Sequence, residues 1–256
     1  MYSPSAQNVP AFEKKNDSKL SFNLSTNFSK KDNNNGVVKN YGHGIDLHAA
    51  YALTDHFAVQ TNFYRRTEKN NGDFNSLNLD SSVINYTRTM FEGGIGYYHT
   101  ISHRSQTFFQ VFAGIGFGKF DFTDIGRDQN NIFHDNYHQA AVTKLFVQPA
   151  FIIKTKKLFT ASLSSRFSLL YFHNIQTNYN ATELDNYKLD SLTYRPRLFW
   201  EPAGIYSIGF KKLPGIQVEV QASMSWLVSK LFIDYRSFNF SIGLMADLPK
   251  MLKKNR

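Results

Sequence analysis

The stretch that most constrains the fold runs from Phe91 to Phe122 and contains two segments of two-residue alternation joined by a short polar turn. This period marks β-strands with two different faces. One face of each segment is apolar, while the other carries mainly glycine, with Glu92 on the first segment and Gln110 on the second. A water-exposed face would be rich in Lys, Glu and Thr. The pattern therefore predicts a crowded interior on one side and lipid on the other.

The composition of the chain agrees with a transmembrane barrel. Among its 256 residues there are 24 Phe and 14 Tyr, while charged residues make up only 19%. Aromatic residues favour strands. No apolar run reaches the roughly 18 residues that a membrane-spanning helix needs, but strands of a transmembrane barrel alternate and average out as polar. The chain has no cysteine, which excludes disulfides and thiolate metal sites. It opens without a signal peptide, so we expect it to represent a mature form.

The same alternation recurs along the chain, and the connections between the segments are long and short in turn. This layout predicts an all-β, up-and-down antiparallel transmembrane β-barrel of about ten strands, with short periplasmic turns and long extracellular loops, in the outer membrane. Two of the long loops are expected at Thr67–Tyr86 and Asp124–Gln139. The alternative is a soluble lipocalin-like barrel or β-sandwich, which would turn its polar face to water.

We divide the chain into three parts. Residues 1–16 are predicted to be an extended periplasmic or membrane-proximal segment, residues 17–248 the barrel, and residues 249–256 a basic tail. The Pro-rich first part is expected to tether a periplasmic or membrane partner. Polar loops rich in Asn and Asp, at Asn33–Asn35, Asn70–Asp80 and Asp124–Asn136, are suited to polar recognition or to solvated cover.

Charges inside a narrow barrel must be paired and hydrogen-bonded. If the less apolar face of each strand points into the lumen, the sequence predicts a polar network that fixes the shape of the barrel. Its members are Asp46, Arg88, Glu92, Gln110, Lys144, Gln148, Arg166, Glu201 and Glu219. Arg66, Arg195 and Arg197 are expected to face inward as well. Glycines at 94, 96, 114, 116 and 118 are expected to clear space for long Arg and Tyr side chains.

Aromatic residues near strand ends on the apolar face predict girdles at the membrane interfaces, formed by Tyr51, Tyr97, Tyr171, Trp200, Tyr206 and Trp226. The net charge of +9 is spread over turns and loops. Nucleic acid would instead require one basic face interleaved with aromatics. We therefore expect outer-membrane lipid and protein partners, and no nucleic acid.

Enzymatic activity is not expected, and neither a cofactor nor a metal site is predicted, because the histidines are dispersed. Two functional alternatives stay open. The first is a narrow pore or small-molecule channel through the lumen. The second is an omptin-like outer-membrane protease, in which Asp and His activate a water. Its candidate residues are His134, Asp135 and His138 in a loop, and Asp46 with His48 on one strand face.

Seven motifs, taken in order, resemble a family of Bacteroidota outer-membrane β-barrel proteins across nearly the whole chain. They are YSPSAQNVPAF at the N-terminus, HAAYALTDHFAV, FEGGIGYY, VFAGIGFG, FVQPAF, SSRFS and WEPAG. The resemblance implies an outer-membrane location. It also implies a lipoprotein, although the lipidated cysteine that such members carry before this segment is absent here. It further implies an accessory subunit of a larger outer-membrane complex, such as a β-barrel assembly or secretion machine.

Overall fold

The computed structural model describes residues 2–27, 40–73, 81–102, 104, 106–127, 132–155, 158–186, 189–230, 233 and 235–253. Most of them belong to strands, because aromatic and β-branched residues alternate along the chain. The strands are β1 Ser18–Asn27, β2 Asn40–Ala52, β3 Phe57–Asp73, β4 Ser81–Ser102, β5 Thr107–Arg127, β6 Phe133–Lys154, β7 Phe159–Thr177, β8 Arg197–Gly209, β9 Ile216–Met224, β10 Trp226–Leu227 and β11 Phe238–Asp247.

Each strand from β1 to β8 pairs antiparallel with its neighbours in the chain, and β9 pairs with β8 and β11. The ring closes where β1 pairs with β11, from Lys19 opposite Asp247 to Asn27 opposite Asn239. The two-residue β10 lies beyond Ser225 and places Trp226 opposite Trp200 on β8. It therefore extends β9 rather than adding a wall strand. The prediction of a closed up-and-down barrel of about ten strands is confirmed.

The two faces of the wall are inverted relative to a water-soluble protein. Outward-facing side chains are large and apolar, with Ile95 66% exposed and Leu163 65% exposed, whereas the lumen holds fully buried Asp46, Glu92 and Gln110. A soluble monomer rarely exposes a large continuous apolar surface. This inversion defines a transmembrane barrel of the outer-membrane type.

Four neighbouring strands, β3 to β6, are much longer than the sequence predicts. The segments Thr67–Tyr86 and Asp124–Gln139, expected as loops, belong largely to strands, since β4 and β6 each have 22 residues. A tilted strand of this length rises roughly 50 Å, about twice the apolar band of such a barrel. Above the lipid the outer face of these strands mixes polar residues with a few apolar ones, so the regular hydrophobic alternation is interrupted although backbone pairing continues.

Short helical elements are present in addition to the strands of the wall. The helix α1 spans Ala181–Asn186, a 3-10 turn spans Asp190–Thr193, and α2 spans Leu248–Lys253 after the last strand. None of the helices in the described part of the chain is long and apolar enough to cross a membrane. Parts of the predicted recognition loops lie outside the described residues, namely Asn33–Asn35, residues 74–80 and residues 128–131.

The N-terminal segment departs most from the sequence-based expectation. Every residue from Tyr2 to Phe12 is buried, whereas Glu13 to Asn16 are exposed. The segment contacts Arg236 before β11 at one end and Lys154 at the end of β6 at the other. It therefore runs along the inside of the barrel instead of lying in the periplasm. Its polar backbone is accommodated because the lumen wall supplies hydrogen-bond partners.

Candidate functional site

The lumen is the candidate site. Three sequence motifs on adjacent strands supply polar side chains to it. Arg166 on β7 lies opposite Glu201 on β8, and its Nε donates to Gln148 Oε1 on β6 at 2.8 Å. Pro149 follows Gln148 and has no N–H for the ladder. The motifs FVQPAF, SSRFS and WEPAG therefore bring an amide, a guanidinium and a carboxylate to one level of the lumen.

Glu92 on β4 is the centre of a buried ion-pair cluster. Its carboxylate lies 2.9 Å from Lys144 Nζ and 3.7 Å from an Arg166 guanidinium nitrogen, and it accepts a hydrogen bond from Asn62 at 3.2 Å. Lys144 is on β6, two strands away, and Gly116 on β5 lies between them. A Cβ at Gly116 would lie 2.9 Å from Glu92 Cγ, so glycine lets the two charged side chains meet.

Asp46 on β2 forms a second ion pair. Both of its oxygens accept from Arg66 Nη2, at 3.0 and 2.7 Å, and one accepts from Ser25 Oγ at 2.5 Å. Arg66 reaches Asp46 by crossing Gly44, where a Cβ would lie 2.5 Å from Arg66 Cδ. The pair is fully buried, and such charges are retained only when paired.

Glu68 forms a third ionic cluster towards the extracellular end. It pairs with Arg88 at 3.2 Å and accepts hydrogen bonds from Arg236. Arg236 belongs to the connection between β10 and β11, so this cluster anchors an extracellular connection inside the barrel. Sequence reasoning places Arg88 in the network but misses Glu68, because Glu68 falls in a segment interpreted as loop.

Glu201 is bound to the N-terminal segment rather than to a cation of the wall. It accepts hydrogen bonds from Tyr2 Oη at 2.6 Å, Ser168 Oγ at 2.5 Å and Ser225 Oγ at 3.1 Å. Tyr2 is fully buried and its ring centroid lies 4.4 Å from that of Phe199. The only sequence signal for this contact is the uncharged character of residues 2–12.

All nine predicted lumen residues are buried, but three of them, Gln110, Glu201 and Glu219, are not part of the ionic clusters. Both side-chain polar atoms of Gln110 lack a hydrogen-bond partner. Glu219 faces Ser207 across β8 and β9, and no ion pair to it occurs among the described residues. Arg197 is buried, as expected, whereas Arg195 is exposed because it precedes β8.

Apolar clusters fill the lumen above and below the charges. One contains Tyr2, Tyr64, Met90 and Phe199, closed from the extracellular side by Leu192 and Ile233. Two others surround the lower half of the N-terminal segment and include Phe12, Phe112 and Phe146 in one, and Val9 with Phe108 in the other. Two of the predicted glycines clear space for these rings and not for Arg and Tyr: a Cβ at Gly96 would meet Phe112, and one at Gly114 would meet Phe146.

The predicted interface aromatics all lie on the outer surface and are 38–54% exposed. Tyr51, Tyr97 and Tyr206 lie near the strand ends that adjoin short turns, while Trp200 and Trp226 stack at the opposite end with centroids 4.9 Å apart. Their role in two membrane girdles stays a prediction.

The residues of the protease alternative are not brought together. His134 Nε2 lies 3.6 Å from Asp124 Oδ1, but Asp135 projects from the opposite, exposed face of β6. Asp46 is held by Arg66, and His48 Nδ1 lies 3.1 Å from Ser21 Oγ. Within the described ranges, no three His, Asp or Glu side chains are arranged to hold a metal ion.

The periplasmic mouth carries mixed charge around a cavity of about 320 Å³. Lys154 Nζ lies 2.7 Å from Glu13, and Asp247 pairs with both Lys19 and Lys250. Burial raises the pKa of the Glu13 carboxyl, but the neighbouring Lys154 ammonium outweighs it and holds that pKa below its ordinary value. Glu13 therefore remains ionised and anchors the point where the N-terminal segment enters the lumen.

These features define the class: a closed barrel of the outer membrane, filled by its own N-terminal segment. Neither a protein-family model nor a curated protein sequence matches the chain. It is similar in structure to the outer membrane protease OmpT from Escherichia coli, with a TM-score of 0.45, 8% identity, and coverage of 91% of this chain and 95% of that one.

Two further solved structures show comparable similarity. The transport unit of the autotransporter AIDA-I from Escherichia coli has a TM-score of 0.45 and 7% identity, covering 94% of this chain and 92% of that one. The COG4313 outer membrane channel from Pseudomonas putida F1 has a TM-score of 0.42 and 10% identity, covering 94% and 99%. Their differing activities do not transfer to this chain at such identity.

Proposed function

We propose that this protein is a non-enzymatic outer-membrane barrel that serves as a structural or accessory subunit of a larger outer-membrane complex. The observation that carries the proposal is the lumen, which is occupied by residues 2–12, by paired charges and by apolar clusters. A barrel built to pass small solutes would keep an aqueous path along its axis. The filled lumen therefore favours a closed barrel over the pore alternative.

Exposed apolar residues on the part of the barrel wall that extends above the lipid support the proposal of a protein partner. Ile125 and Tyr137 are each 40% exposed and Phe133 is 61% exposed, on the outer face of β5 and β6 around the exposed Asp135, which lies opposite Ile125. Below the patch, outward Lys119 and Gln139 form a polar band that separates it from the lipid-facing surface. An apolar patch beyond the lipid is typical of a contact with another protein.

The test is purification of the native protein in a mild detergent. We expect a partner in stoichiometric amount that is lost from the Phe133→Ser variant and retained by Lys119→Ser, a matched change in the polar band. A monomer with no stoichiometric partner would contradict the proposal. In planar bilayers the intact protein should give only background current, and steady single-channel steps would favour the pore instead.

A further inference from the structure

The N-terminal segment is held in the lumen as a bound peptide would be, through hydrogen bonds of both its backbone and its side chains. The N–H of Ala6 donates to Asp46 Oδ1 at 3.2 Å, and the N–H of Gln7 donates to Gln221 Oε1 at 3.0 Å. These two acceptors lie on different strands of the wall. Side chains of the segment are bound as well: Gln7 Nε2 donates to the carbonyl oxygen of Glu201 at 2.6 Å, and Asn8 Nδ2 donates to Asn62 Oδ1 at 3.0 Å.

The carbonyl groups of the segment are bound in the same way. Gln148 Nε2 donates to the carbonyl oxygen of Asn8 at 2.7 Å, and Lys154 Nζ donates to that of Ala11 at 2.6 Å. The segment joins no strand ladder; its single bridge pairs Tyr2 with Tyr235. It is therefore a ligand of the wall side chains and not a further strand of the sheet.

The chemistry of the occupant is simple. From Tyr2 to Phe12 the segment has no charged residue, and Tyr2 is followed by the small residues Ser3, Pro4, Ser5 and Ala6. Ser5 Oγ accepts a hydrogen bond from Arg166 at 3.0 Å. The lumen thus accommodates an extended, uncharged chain with a large aromatic residue at each end, Tyr2 and Phe12.

The wall carries more polar groups than this occupant satisfies. The side-chain amides of Gln60, Gln110 and Asn239 are buried without hydrogen-bond partners, as are Gln221 Nε2 and Ser223 Oγ. Each buried polar group left unpaired costs about 1–3 kcal/mol. These groups are therefore able to bind polar atoms of a segment that carries other side chains.

We propose that the lumen is a binding site for an extended, uncharged polypeptide segment of a partner, which exchanges with residues 2–12. The exposed residues Glu13 to Asn16 and the adjoining mouth cavity, lined in part by Val9 and Ala11, provide the route from the periplasmic side. This proposal is independent of the extracellular contact proposed above and shares with it only the closed state of the intact chain.

The test uses the full chain, with a specific protease site inserted between Lys14 and Lys15 and cleaved after the barrel has folded in lipid nanodiscs. The probe is a fluorescent synthetic peptide with the sequence of residues 2–12. We expect cleaved barrels to take up the probe at least tenfold more than uncleaved ones. A peptide of the same length with lysines at alternate positions should not bind.

Wall variants show whether uptake uses the observed contacts. Replacing both Gln148 and Gln221 by Ala removes two side-chain-to-backbone hydrogen bonds and should weaken probe binding about tenfold or more. Gln139→Ala, on the exposed outer face, should leave it unchanged. In bilayers, washing out the cleaved segment should produce current steps that the added peptide blocks.

Two results would overturn the exchange proposal. One is a cleaved segment that never exchanges with the probe, and the other is a cleaved barrel that unfolds. Either would make residues 2–12 an integral part of the core. Current through the intact, uncleaved protein would contradict the closed-subunit function and leave peptide exchange to be decided by probe uptake, so the two failures are distinguishable.

Discussion

The hydroxyl of Tyr2 donates a hydrogen bond of 2.6 Å to Glu201, a residue 199 positions later in the chain. The bond fixes one end of the N-terminal segment to the wall, and it is charge-assisted and buried. Such bonds contribute about 1.5–3 kcal/mol. We expect Tyr2→Phe to lower the free energy of unfolding by this amount, measured by urea titration in lipid vesicles. Tyr206→Phe, on the outer face, should change it little; equal effects would show that Tyr2 is not anchored.

Two buried glutamates should respond in opposite ways to the same substitution. Glu92→Gln leaves Lys144 and Arg166 without their counter-charge, and breaking such a pair typically costs about 3–5 kcal/mol. Glu219→Gln removes a carboxylate that has no ion pair among the described residues, so it should be neutral or stabilising. The same urea titration compares them, and a larger loss for Glu219→Gln would contradict the assignment of the ionic clusters.

The two tryptophans of the chain report on the membrane interface. Trp200 and Trp226 lie on the outer surface near the extracellular end of the wall. Tryptophan at this position belongs at headgroup level. We expect lipids brominated near the headgroup to quench their fluorescence more strongly than lipids brominated near the chain ends. Stronger quenching by the lipids brominated near the chain ends would contradict the placement of these tryptophans at the membrane interface.

The stabilisation by the Glu13–Lys154 ion pair at the periplasmic mouth should depend on pH only under acidic conditions. Burial raises the pKa of Glu13, but Lys154 outweighs it and lowers that pKa in the folded protein. The stabilisation is therefore present above the unfolded pKa, about 4.3, and is lost as pH falls through the lower folded value. Because Glu13 is half exposed, this stabilisation should be below about 1 kcal/mol. The stability difference between the native chain and Glu13→Gln should stay constant from pH 7 to 5; a decline over that range would be inconsistent with this anchor.

The sequence predicts the wall well because the strands obey a simple rule. Outward residues in the apolar belt must be apolar, so the two-residue alternation identifies which side of each strand faces the lumen. It places Glu92, Lys144 and Arg166 correctly inside. The alternation is interrupted in the ends of β4 and β6 above the lipid, where the outer face carries polar as well as apolar residues. Strand pairing there depends on the neighbouring backbone and leaves no compositional signal.

The contents of the lumen could not be predicted in the same way. Residues 2–12 have two prolines and no periodic pattern, so they are typical of an exposed linker. Their position follows from hydrogen-bond partners distant in sequence, such as Asp46, Gln148 and Gln221, which alternation alone cannot assign to a particular ligand. The role of Gly116 likewise could not be predicted before the strand register was known, because it depends on Glu92 and Lys144 lying on its two sides.

The central claim is that residues 2–12 occupy the lumen, and thiol labelling tests it most directly. Since the chain has no native cysteine, a membrane-impermeant maleimide reports only on the introduced site. Ser5→Cys lies deep in the barrel, whereas Lys14→Cys lies at the exposed mouth. In the folded protein we predict rapid labelling of the Lys14→Cys variant and labelling at least a hundredfold slower for Ser5→Cys, with equal rates after unfolding. Comparable rates in the folded state would contradict the account.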